Sequence, residues 1–288
     1  MNALPEGVTR EVWQDIEVLR VETPFSTARL SLHGGQLLSF VPAGFDDLLW
    51  VSPTTVLPPK AIRGGVPVCW PYFGRQGQPD DAPQHGHARV SRWPLTDARR
   101  EQDGSALLKL ALPLRDGVPL ELQMSVHVGR ELRQSIDTVH RGDRPWRLTQ
   151  ALHTYFRVAD ALQARVAGLD GLHYADKYDG GTHVQAGDWT LHDPRDPGRS
   201  DRIYTGTGHR FDLVDAAGGR RIRLDTFGSR SLVVWNPGEA GARAIADLPD
   251  DGWRRFVCVE TANAGDDAIE LEPGQRHRLS HVISVASL

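Results

Sequence analysis

Two cysteines in 288 residues, Cys69 and Cys258, are too few for a disulfide scaffold. They read as buried free thiols of a reducing cytoplasm, with one long-range bridge as the alternative. Long apolar runs are missing too: no stretch approaches the roughly 18 uninterrupted apolar residues of a membrane span. The N-terminus "MNALPEGVTREVWQDIEV" has acids and a proline where a signal peptide needs a basic start and an apolar run. Excess charge of one sign is absent. A formal net charge of −4 favours solubility and gives neither nucleic acid nor an anionic membrane a reason to bind. The Walker-type phosphate loop, a strand-borne GxGxxG, paired CxxC motifs, HExxH and GxSxG are all lacking, so no nucleotide, metal or other cofactor is expected. A cytoplasmic protein, monomeric by default, is the expectation.

What the chain does have is alternation with a period of two. In "VPLELQMSVHV", Leu120, Leu122, Met124, Val126 and Val128 share one face, while Glu121, Gln123, Ser125 and His127 share the other. That is a strand with one wet face. "DG" at 116–117 follows "SALLKLALPL", which predicts a hairpin. "RFDLVDAAGGRRIRLDTF" repeats the plan around Gly218 and Gly219, and "RLSLHGGQLLSFVP", "ELRQSIDTVH", "WRLTQALHTYFRV", "SLVVWNP" and "RFVCVETA" are further strands. The one helical signal is a short turn in "ARAIADLPDDGW", ended by Pro249. Glycine (29) and proline (19) are spread along the chain rather than pooled in a linker. The pattern predicts one all-β domain over residues 1–288, a large antiparallel β-sandwich with broad, curved sheets and few short helices.

Several polar groups stand out against this background. Read as a continuous strand, "WRLTQALHTYFRV" puts His153 with Arg147, Thr149, Tyr155 and Arg157 on its more polar face. A hydrogen-bonded surface histidine and a catalyst both fit. In "RFVCVETAN", Val257 and Val259 lie on one face and Phe256 and Cys258 on the other, so the strand reads as buried on both sides, with Glu260 ending the second face. A carboxylate there is either in a structural salt bridge with an arginine or tuned for proton transfer, because desolvating a bare charge is costly. Arg63 precedes Gly64 and Gly65, whose lack of side chains would let a ligand approach the backbone. In "QHGHAR", an extended backbone would point His85, His87 and Arg89 to one side. A cupin-type metal centre would need an acid a few residues on, where the chain has "ARVSRW". Arg63 and Arg89 converging on one spot would suit a phosphate, since the guanidinium fork matches its oxygens; taken singly, each is an ordinary surface salt-bridge residue.

Taken in order, "LSLHGGQLLSF", "IRGGVPVCWPYFG", "QHGHAR", "LTQALHTYFRV", "GLDGLHYADK", "SDRIY", "VVWNPG", "CVETAN" and "LEPGQ" span nearly the whole chain. Together they resemble the glucose-6-phosphate 1-epimerases, the hexose-6-phosphate mutarotases of the galactose-mutarotase-like superfamily. The resemblance implies a β-sandwich of that type whose concave face holds a hexose phosphate. It implies that His153 is the general acid and Glu260 the general base. Arg63, Gln84 and Arg89 would contact the phosphorylated sugar, Asp201 would hydrogen-bond a sugar hydroxyl, and His85 would lie close to the sugar. His87 departs from the motif, where phenylalanine is usual, and leaves fine sugar specificity open. The competing functions are a mutarotase of unphosphorylated aldoses, a non-catalytic sugar-phosphate-binding protein, and a glycoside hydrolase. The last would need two carboxylates about 5–10 Å apart.

Overall fold

The computed structural model describes residues 4–75, 77–192, 198–206 and 208–288. Alternating side chains build two eight-stranded antiparallel sheets. The first runs Thr182–Val184, His173–Asp176, Ser200–Thr205, Ser231–Asn236, Phe256–Asn263, Gln150–Leu152 and Val68–Cys69, and Tyr155–Arg157 also pairs with Phe256–Asn263. The second runs Ala164–Ala167, Arg210–Asp215, Arg220–Phe227, Arg276–Ser287, Leu132–His140, Leu120–Val128, Ala106–Ala111 and Leu95–Arg100. A four-stranded meander, from Val8–Trp13 to Gln36–Pro42, and the small pair Trp146–Leu148 with Ile269–Leu271 complete the β-structure. Both hairpins expected at 116–117 and 218–219 form. "RLSLHGGQLLSFVP" is two strands, Ser26–Ser31 and Gln36–Pro42, because Gly34 and Gly35 take positive φ and turn the chain.

The large sheets pack face to face. Trp70 donates its indole N–H to Thr138 Oγ1 across the interface at 2.9 Å, and Thr261 meets His281 at 3.5 Å. One apolar cluster draws on both sheets, including Val257, Val259, Leu224, Leu279 and Ile283. The first sheet is covered on its other face as well, by a smaller cluster of Cys69, Phe73, Ala151, Val233 and Ala262. That double burial is why Phe256–Asn263 is buried at every position, as its uninterrupted apolar reading predicts.

The helical expectation needs correction. The α-helix among the described residues is Gly238–Arg243, ahead of most of "ARAIADLPDDGW", and that segment instead runs into a 3₁₀ turn at Gly252–Arg255. Asn236 explains the placement: its Oδ1 accepts the Gly238 N–H, and its amide donates to the carbonyls of Trp253 and Phe256. The side chain thus starts the helix and ties it to the next strand. Cys69 and Cys258 are both buried and free. Among the described residues no helix is long and apolar enough to cross a membrane.

His281 lies in the interior with its side chain fully buried, and burial lowers its pKa to about 3. The unfolded chain protonates this imidazole near its ordinary value of 6.5. Stability is therefore complete above that pH and is lost as pH falls toward the folded value, by about 1.4 kcal/mol per unit for this one group. Urea unfolding at pH 7 and pH 5 tests this. His281→Leu is expected to flatten the dependence, and an unchanged pH slope would assign the acid sensitivity elsewhere.

Candidate active site

Register places the two candidate proton carriers. Leu152 pairs with Thr261, and Tyr155 with Cys258, so the register is the same on both sides of His153 and Thr154. That numbering sets His153 directly opposite Glu260. The continuous strand expected over 146–158 is in fact three short ones, and the backbone N–H of His153 donates outward to Pro67 O at 3.0 Å. Directly opposed residues on neighbouring antiparallel strands hold their Cβ atoms about 4.5–5.5 Å apart. Here the side chains meet, with His153 Nε2 3.4 Å from Glu260 Oε1.

The same register aligns a row beside them. Asp201 pairs with Trp235, Trp235 with Cys258, and Cys258 with Tyr155. Tyr155 stacks on the His153 ring at 4.9 Å between centroids, and Trp235 meets that ring edge-on at 5.9 Å. His153 is therefore not a surface residue: it is 8% exposed, and Glu260 is 1% exposed. Among the described residues no arginine pairs with Glu260, and its ionic neighbour is His153 rather than the structural salt-bridge arginine weighed for it.

A cleft of about 280 Å³ opens over the pair. It gathers every residue singled out from the sequence except His87: Arg63, Gln84, His85, Arg89, His153, Asp201 and Glu260. Arg63 is clamped by Asp247, with Nη2 2.9 Å and Nε 3.1 Å from Oδ1, and its Nη1 donates to the Tyr155 hydroxyl at 3.4 Å. Arg89 donates from Nη2 to the Gln84 carbonyl at 2.8 Å, and its buried Nε has no hydrogen-bond partner. Gln84 is exposed at the rim. His85 accepts the Gly74 N–H at Nδ1 (3.1 Å), which leaves Nε2 as the proton-bearing nitrogen of its neutral ring.

Two expectations fail here. "QHGHAR" is not extended: His85 and Gly86 take φ of 65° and 73°, and Ala88–Val90 is a 3₁₀ turn. His87 is thereby turned away from His85 and Arg89, into an edge-on contact with Trp70 at 5.4 Å between centroids. There it is a buried packing ring, lowered by burial to about 4. Nor do Gly64 and Gly65 admit a ligand. Both have positive φ, and a Cβ on Gly65 would run into the Leu37 carbonyl oxygen. Protein backbone occupies the space.

Sequence reasoning missed Lys177, Tyr155, Phe73, Trp235 and Ile245, which also line the cleft. Tyr155 was recoverable from its shared strand face with His153. Lys177 ends the segment "GLDGLHYADK" without any local pattern to mark it.

The electrostatics follow from dryness. Burial raises the Glu260 pKa well above its ordinary value, Lys177 draws it back down, and Asp201 pushes it up. Burial lowers His153 well below its ordinary value, and repulsion from Arg89 and Arg63 adds to that. Glu260 Oε2 and His153 Nδ1 are buried without hydrogen-bond partners. The arrangement is thus a proton donor–acceptor pair at the base of a cleft rimmed by three cations. Among the described residues no three potential ligands cluster as a metal set. Clefts of about 350 and 340 Å³ beside the N-terminal meander contain no histidine.

Comparison with known proteins places this geometry in context. Residues 17–284 match the aldose 1-epimerase family model. A protein of Escherichia coli (strain K12), named as a candidate glucose-6-phosphate 1-epimerase, is 35% identical over 265 residues, covering 90% of this chain and 87% of its own. The crystal structure of a candidate mutarotase from Salmonella typhimurium superposes with a TM-score of 0.89 at 31% identity, over 100% of this chain and 96% of the other. A galactose 1-epimerase from Lactobacillus acidophilus NCFM shares the fold, with a TM-score of 0.74 at 13% identity over 97% and 98% of the two chains.

The two buried thiols of this sheet give a separate expectation. Burial pushes the Cys69 thiol up to about 12 and raises Cys258 as well. Both should stay unmodified by a thiol reagent such as dithionitrobenzoate at pH 8, and both should react once guanidinium unfolds the chain. Rapid labelling of either in the native protein would show that the sheet opens to solvent there.

Proposed function

This chain belongs to the aldose 1-epimerase family, and from that premise we propose that it interconverts the α and β anomers of a hexose 6-phosphate, with glucose 6-phosphate as the first candidate. The observation that carries the reading is the buried His153–Glu260 contact of 3.4 Å under Arg63 and Arg89. Anomer exchange needs one group to take the O1 proton and another to protonate the ring oxygen O5. The C1–O5 bond breaks, the open-chain aldehyde rotates about C1–C2, and reclosure returns both protons. Glu260 acts as base and His153 as acid on opening, and the roles reverse on closing. A positioned proton transfer contributes about 10²–10⁴ in rate.

The low proton affinity of His153 bears on this scheme. Burial is its largest cause, with Arg89 and Arg63 adding to it. A bound phosphate offsets those guanidinium charges and so shifts His153 toward the protonated form that the acid role needs. Asp201 and Gln84 take the sugar hydroxyls in this reading, and His85 offers its Nε2–H to the sugar. Accompanying proposals are a single domain, supported by the core cluster shared by both large sheets, a reducing cytoplasm, supported by the two free thiols, and a monomer by default.

NMR exchange spectroscopy between the anomers of glucose 6-phosphate tests the function, with galactose as comparison. Exchange should survive exhaustive chelation. Glu260→Gln and His153→Asn should each lower kcat by about 10²–10⁴ while leaving sugar-phosphate binding largely intact. Activity restored only by an added divalent metal, or near-normal turnover in either variant, would refute the scheme.

The arginines separate this reading from a mutarotase of neutral aldoses. A hydrogen bond to a charged group is worth roughly 1.5–3 kcal/mol, so Arg89→Ala should lower kcat/KM for glucose 6-phosphate about ten- to a hundredfold. Activity on glucose should change far less. Arg63→Ala should follow the same selectivity but also expose the Asp247 charge. Equal losses on both sugars would move the arginines from substrate recognition to support of the fold.

A further inference from the structure

The three cations of the cleft are held in different ways. Arg63 is fixed by Asp247 and by the Tyr155 hydroxyl. Arg89 is braced by the Gln84 carbonyl. Lys177 has an anchored backbone and a movable head. Its N–H donates to Asp201 O at 3.0 Å, while its Nζ reaches Asp201 Oδ1 at 3.2 Å and lies 5.3 Å from the centre of the Phe73 ring. The turn carrying it is pinned from below, where buried Asp176 accepts the Tyr178 N–H at 2.8 Å and stands 3.7 Å from buried Arg202. The lysine side chain itself is 44% exposed.

We propose that Lys177 is a substrate-selecting latch: in the free site its ammonium covers Asp201, and on binding it transfers to the phosphate of the sugar phosphate, leaving Asp201 open to the sugar hydroxyls. This deepens, and rests on, the hexose 6-phosphate reading. An exposed lysine stem reorients readily, and its ammonium acts as a point charge that needs no fixed geometry. A phosphate carries about −1.5 to −2 charges at neutral pH and three acceptor oxygens, against one charge on Asp201, so it wins the cation. A neutral sugar supplies no such competitor, and Lys177 then stays on Asp201. The phosphate end of the substrate thereby unmasks the acceptor for its hydroxyl end. Selectivity comes from this coupling as well as from direct contact. Release has a cost at Asp201, because burial raises its pKa and Lys177 works against that shift, so the sugar hydroxyls must replace the support that the ammonium gave.

The test titrates inorganic phosphate, and separately glucose 6-phosphate, into the whole protein, read by tryptophan fluorescence since Trp235 lines the cleft. Lys177→Met should weaken phosphate binding about tenfold, the size of one charge-assisted contact, and Lys177→Arg should retain most of it. Lys177→Gln is a second neutral variant with the same expectation should the methionine form fail to fold. The decisive variant is Asp201→Asn. It frees the latch, so inorganic phosphate should bind severalfold more tightly, and that gain should vanish in the Lys177→Met/Asp201→Asn double variant. A fixed structural pair predicts the opposite, with Asp201→Asn giving no gain or a loss. Either that result, or unchanged phosphate binding in both neutral Lys177 variants, overturns the latch alone. Absence of saturable phosphate binding in the wild type overturns the hexose 6-phosphate reading and the latch together.

Discussion

A carboxyl group and an imidazole face each other across two strands of a sheet, buried at the base of a cleft. Much else in the structure follows from this pairing. Water solvates either charge poorly there, so proton affinity depends on mutual proximity and on the fields of more distant groups. Strand register sets the separation, and strand register resists slippage because one step would exchange every buried residue for its neighbour on the other face. The geometry is therefore as rigid as the core itself.

Around that pair the cleft charges overlap in their reach. Arg89 and Arg63 act on His153, Asp201 acts on Glu260, and Lys177 acts on both, lowering the pKa of each. One cation therefore couples the two groups electrostatically. Tyr155 ties Arg63 to the pair, stacking on His153 while receiving the Arg63 hydrogen bond. Cys69 and Cys258 are buried in the same sheet, small apolar groups among the residues that exclude water from it.

The sandwich and its strands were legible because period-two alternation and turn glycines report directly on sheets. Phe256–Asn263 declared its double burial by having apolar residues on both faces. Glu260 and His153 were visible as chemical oddities within their strands, but their opposition was not, since register between segments a hundred residues apart depends on the whole sheet. The same non-locality hid Lys177, whose partner Asp201 belongs to the next strand over. "QHGHAR" misled for a local reason. A left-handed His85 is uncommon for a side-chain-bearing residue, and nothing in the hexapeptide demands it except the glycine that follows. That one backbone choice sends His87 away from the cleft and makes its departure from the usual phenylalanine a matter of packing.

His153 and Glu260 are placed by the sheet, but the three cations of the cleft ride on connections: Arg63 before a glycine pair, Arg89 in a 3₁₀ turn, Lys177 just beyond a strand end. Insertions and substitutions accumulate most easily in such connections. A lineage built on this scaffold can therefore exchange one ligand class for another by rewriting turns, without renegotiating the chemistry. The same partition offers a protein engineer a scaffold whose buried pair is inherited intact and whose charged rim is open to redesign.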